Sequence, residues 1–146
     1  MASILVLHGP NMALRGLEAL DDALQARADA LALSVTTLQS NGEAGLLDAL
    51  QAEAAEVDGV LVNPGVLAPS AWALAEALTL LKKPAVEVLL EAPPSQRGPS
   101  ALTGVVLAQV HGQGTQGYLV ALEELAGRLG AATAAAPGEA EQEGEE

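Results

Sequence analysis

The chain has 146 residues, half of them apolar, and a formal charge of −13 from 19 acidic and 6 basic side chains. That length suits one domain with a real core. Six cations scattered from Arg15 to Arg128 form no basic stripe, which argues against a nucleic-acid partner. No apolar run reaches the length of a membrane span. The absence of cysteine excludes disulfides, thiolate chemistry and cysteine-ligated zinc. Met1-Ala2-Ser3 passes straight into an apolar run without a basic and apolar leader, so a cytoplasmic protein is expected.

In chain order, the first strand is predicted over 4–7 (ILVL), ending in the polar turn His8-Gly9-Pro10-Asn11. Leu17, Leu20, Leu24, Ala28 and Leu31 then recur at helical spacing. A strand over 34–39 follows, and Leu46, Leu47, Leu50 and Ala54 mark a second helix. The strand at 59–63 ends in Asn63-Pro64-Gly65, and a third helix is predicted over 70–81 with Ser70 as its N-cap. Strands at 85–90 and 104–110 flank the loop APPSQRGPS, and a fourth helix is predicted over 117–130, ending at Gly130. Such alternation, with near-continuous apolar strands, predicts a three-layer α/β sandwich that binds ligands beyond the C-terminal strand ends. Residues 1–131 are assigned to this domain. Residues 132–146, rich in Glu after Pro137, are expected to form a disordered acidic tail, for solubility or for docking a basic partner.

Few side chains are available for chemistry. The turn at 111–117 (HGQGTQG) holds G-x-G-x-x-G between a strand and a helix, the local context of a dinucleotide loop. It follows the last strand, however, and no strand-borne acid lies about 20 residues on, which favours a close-packed glycine turn. His8 and His111 each precede a glycine at a strand end. Each is a general-acid candidate or a hydrogen-bonded structural group, and neither has an acid beside it in sequence. Tyr118 and Trp72 read as core residues on the apolar sides of their helices, with the tyrosine hydroxyl at a surface edge. Arg97, in the Pro/Gly/Ser loop, is the best-placed cation. Asn11 and Asn63 end neighbouring strands, where their amides either hold a ligand hydroxyl or water, or cap their own turns.

The segments ILVLHGPNMALRG, LQSNGEAGLLDAL, DGVLVNPG, PAVEV and HGQGTQGYLVALEEL resemble, in order and spacing, the type II 3-dehydroquinate dehydratases of the shikimate pathway. The resemblance covers nearly all of the chain before the tail. It implies a flavodoxin-like fold with a five-stranded parallel sheet in the order 2-1-3-4-5, and a trimer-based homo-oligomer, typically a dodecamer. It implies no metal or cofactor. The reaction is an elimination of water, in which a tyrosinate takes a proton and a histidine gives one.

Carried over residue by residue, Asn11 matches the enolate-side asparagine, and Asn63 with Gly65 matches the substrate-binding turn. Arg97 aligns with a substrate-binding arginine, and Glu76 stands for an aspartate donated across a subunit interface. The general-acid histidine is Leu89, followed by Leu90, a second pocket histidine is Pro69, and the serine at the substrate carboxylate is Glu91. The family's lid, which bears the base tyrosine and an arginine, is missing between Gly16 and Leu17. The resemblance therefore points to a vestigial pocket with no catalytic residue, in a pseudoenzyme acting as an oligomeric scaffold or regulatory subunit, with room for an unidentified protein partner. An active or weak dehydratase, or a repurposed small-anion binder, is the alternative.

Overall fold

A computed structural model describes residues 1–93 and 97–135. Five strands, β1 (Ala2–His8), β2 (Leu33–Gln39), β3 (Gly59–Asn63), β4 (Ala85–Leu89) and β5 (Ala108–His111), form one sheet in the order β2-β1-β3-β4-β5. Every pairing is parallel, as the flavodoxin-like expectation requires. The helices are α1 (Leu17–Ala30), α2 (Glu43–Glu53), α3 (Trp72–Leu81) and α4 (Gln116–Ala135).

Two cores sandwich the sheet because successive strand side chains face opposite ways. Ile4, Val6, Leu61, Val86 and Val88 face α1 and α4, where they meet Leu20, Leu24, Tyr118, Leu122 and Leu125. Leu5, Leu7, Val60 and Val62 face α2 and α3, where they meet Leu46, Leu50, Leu74 and Leu78. Complete burial of one such leucine contributes about 1.5–3 kcal/mol. Among the described residues, no helix is long and apolar enough to cross a membrane.

Several boundaries differ from expectation. The last strand starts at Ala108 rather than at 104, because Gly104 (φ 84°) and bonds from the Val105 and Val106 amides to the Leu102 carbonyl coil that segment over the sheet. Ser70 does not cap α3. Gly65–Ser70 is a 3₁₀ turn, and the Ser70 hydroxyl donates back to the Leu67 carbonyl. The Leu74 amide instead donates to Glu43 of α2, a cap supplied from another helix. Trp72 lies off the apolar side of α3: it is 68 % exposed, in an outward stripe with Glu76 and Leu80, while Leu74, Ala75 and Leu78 face the sheet. At the chain's end, α4 runs through Gly130 to Ala135, so 132–135 are helical, and the acidic stretch at 136–146 lies outside the described residues.

Candidate active site

Only Gly9 to Gly16 separate β1 from α1. The chain turns at Gly9, where a Cβ would stand 2.4 Å from the Asn63 carbonyl oxygen, so β1 and the Asn-Pro-Gly turn can touch only through a glycine. Asn11 then adopts a left-handed conformation (φ 69°), which asparagine tolerates, and its amide donates to Asn41 Oδ1. Met12–Leu14 forms one 3₁₀ turn, and α1 begins behind Gly16 with no intervening segment.

A cavity of about 120 Å³ opens above the C-terminal ends of β1, β3 and β4. Eight of the nine positions named from the resemblance line it: Asn11, Asn63, Gly65, Pro69, Leu89, Leu90, Glu91 and Arg97. The ninth, Glu76, is exposed on α3 and is not on its wall. Arg15 is a wall residue that sequence reasoning passed over. It reaches across the mouth to Glu91, with Nη1 donating to Oε2 at 2.7 Å and Nη2 to Oε1 at 3.4 Å. That bond holds the Glu91 carboxyl below its usual range, so it stays ionised.

The two asparagines are engaged differently. Asn63 is 3 % exposed and its amide is engaged within the protein. Nδ2 donates to the Tyr118 hydroxyl at 2.9 Å and contacts Met12 Sδ at 3.5 Å, while Oδ1 accepts from the Gly65 amide at 2.9 Å. Asn63 therefore caps its own turn and ties it to α4. The Asn11 side chain is exposed on the cavity wall, with no hydrogen-bond partner among the described residues.

Behind the Asn63 floor lies a network invisible in the sequence. His8 pairs with Asn63 in register and faces α1 and α4. Its Nε2 is 2.8 Å from Asp21 Oδ1, and its Nδ1 is 3.0 Å from the Tyr118 oxygen. Burial pushes the His8 pKa down, against the upward pull of Asp21, so the imidazole is neutral at pH 7. The carboxylate then demands the proton on Nε2, leaving Nδ1 to accept from the Tyr118 hydroxyl, which accepts in turn from Asn63. Tyr118 is fully buried, and burial raises its phenol further from ionisation. The expectation of a surface hydroxyl is corrected: Tyr118 is a structural donor in the core.

A pH experiment follows from His8. Its folded pKa lies below the unfolded value near 6.5. The unfolded chain thus binds more protons as pH falls through that value, and His8 subtracts stability only below it. Its share is at most ~1.4 kcal/mol per pH unit, and it sets in as pH falls below the unfolded value. Denaturant melts at stepped pH should show a shallower slope for His8→Asn than for the wild type; equal slopes would exclude the neutral buried imidazole.

His111 lies on the other side of the sheet. Its Nε2 is 2.9 Å from Oε1 of Glu87, a fully buried carboxylate that also accepts from Gln109 and Ser100. Each histidine has its carboxylate after all, delivered by the fold rather than by sequence neighbours. In the glycine turn, the Gly112 and Gly114 amides donate to the Leu89 and Leu90 carbonyls, and Gly117 packs against Val110 and Val88. The turn thus spends its Gly112 and Gly114 amides on β4 and the residue after it, and packs closely at Gly117, as a structural glycine turn does. Among the described residues, no group of three or more potential metal ligands assembles.

Residues 2–126 match the family model for dehydroquinase class II. The chain is 39 % identical over 141 residues to a 3-dehydroquinate dehydratase of Roseiflexus castenholzii, covering 87 % of this chain and 90 % of that one. It is 39 % identical over 143 residues to a 3-dehydroquinate dehydratase of Ruegeria pomeroyi, covering 88 % of this chain and 96 % of the relative. The crystal structure of the type II dehydroquinase from Propionibacterium acnes superposes with a TM-score of 0.79 at 28 % identity, over 87 % of this chain and 99 % of that one. A parallel sheet in the order 2-1-3-4-5, a cavity at the ends of its central strands and these matches lead to one conclusion: the chain belongs to the type II dehydroquinase family.

Proposed function

We propose that this chain is a non-catalytic type II dehydroquinase homologue, which keeps the family's shell as an oligomeric scaffold or regulatory subunit. One observation carries the reading: among the described residues, the cavity wall holds no histidine, tyrosine, aspartate or lysine. Its titratable side chains are Arg15, Arg97 and an ionised Glu91 already bonded to Arg15. An elimination of water needs one group to take a proton and another to give one. Leu89 and Pro69 do neither, and both histidines are bonded to carboxylates outside the cavity.

The reading is tested by following conjugated product by ultraviolet absorbance with purified protein and 3-dehydroquinate. No rate above buffer supports it. Turnover that Asn11→Ala abolishes would establish a dehydratase instead, the activity for which the relatives are named.

For the scaffold, the outward stripe of Trp72 and Leu80 around Glu76 is the apolar face that a second copy would cover, bringing Glu76 towards a neighbour's cavity. Light scattering is expected to return a multiple of the 14.7 kDa chain mass, and Trp72→Glu to lower it. A wild-type mass of one chain would overturn the scaffold role.

A further inference from the structure

Arg15 and Glu91 meet across the cavity mouth. Arg15 comes from the β1–α1 connection and Glu91 from the loop after β4, and β1 and β4 flank β3 in the sheet. The pair therefore arches over the end of β3. One guanidinium faces both oxygens of one carboxylate, the fork geometry with which arginine takes a carboxylate ligand. The pair contributes little to folding, since its side chains are 44 % and 72 % exposed and exposed pairs are weak and screened. Arg97 adds a second guanidinium to the wall, so the mouth carries surplus positive charge in a chain of net −13. Leu89, Leu90 and Val66 supply an apolar lining, and the Asn11 amide a polar contact.

We propose that Arg15 is the anchor for a small carboxylate ligand, and that Glu91 is a tethered carboxylate that holds the anchor until such a ligand displaces it. This rests on the reading of the cavity as a binding pocket without an acid or base. Glu91 thus sets the threshold for occupancy: a ligand must offer Arg15 more than the chain's own side chain does. Once released, Glu91 turns to solvent, where it already largely lies.

The test compares shikimate with its uncharged methyl ester by isothermal titration calorimetry on the full chain. Glu91→Gln keeps the side chain's size and removes its charge. It is expected to tighten shikimate binding roughly three- to tenfold, the range that loss of a weak exposed pair and of like-charge repulsion implies. The ester should change less than twofold. Adding Arg15→Ala to Glu91→Gln should cancel the gain, and 0.5 M salt should shrink it. An equal gain for the ester, a gain that survives Arg15→Ala, or no detectable binding by Glu91→Gln would each overturn the proposal. Dehydratase turnover by the wild type would remove the non-catalytic reading while leaving this comparison of affinities to decide the anchor. Melting curves of the variants report whether they fold, and both substituted side chains are exposed enough for the fold to persist.

Discussion

Purified protein supplied with 3-dehydroquinate is expected to run at least ~10⁴-fold more slowly than an intact family member assayed beside it. A positioned acid or base is worth ~10²–10⁴ in rate, and the resemblance assigns one of each to the family reaction. The resemblance puts Leu89 at the acid's position, and Leu89, 5 % exposed on β4, cannot hold a proton. The base has no substitute, because Tyr118, the chain's one tyrosine, is fully buried with its oxygen between His8 and Asn63. With α1 beginning directly behind Gly16, the short Gly9–Gly16 connection carries no lid long enough to close over the mouth and exclude water. Leu89→His alone should therefore stay within tenfold of the wild type, since groups that act as a unit are strongly non-additive. A rise above a hundredfold would reveal a base on the wall, and Glu91 would be the residue to replace next.

Tyr118→Phe is expected to cost about 2–4 kcal/mol, although it removes one oxygen and no apolar volume. The hydroxyl serves two buried partners at once, His8 Nδ1 and Asn63 Nδ2. Without it, both lose their bond away from water, at about 1–3 kcal/mol for each unsatisfied group. In a domain of this size the melting temperature should fall by about 10 °C. The loss should also loosen the Asn-Pro-Gly turn, because Asn63 Oδ1 holds the Gly65 amide while Nδ2 holds α4. Calorimetric melts check the prediction. A loss below 0.5 kcal/mol would mean that the hydroxyl is not the shared partner of His8 and Asn63.

Much of the fold was legible because its signals are local. Apolar runs broken by Gly and Pro marked all five strands, and leucine spacing marked the helices. The misplaced boundaries arise where distant residues decide. Glu43 caps α3 from another helix, displacing Ser70, and Thr103–Leu107 carries strand-like residues into a coil bound to Leu102. Much of the cavity was legible because its wall comes from the ends of β1, β3 and β4 and the connections that follow them, and parallel strands bring those ends to one edge. Arg15 was passed over because nothing in MALRG shows that it faces Glu91, 76 residues away.

The amino-acid sequence by itself determined the strand and helix order, the family, the scarcity of proton-transfer groups and the shortness of the β1–α1 connection, all properties of composition and spacing along the chain. Tertiary structure alone decided which polar groups are already partnered. His8 and Asn63 look like site residues in one dimension, yet parallel pairing and helix packing bury them and close their hydrogen bonds on the Tyr118 hydroxyl. A buried polar group must find its partner within the fold, and which one it finds depends on distances that the sequence does not contain.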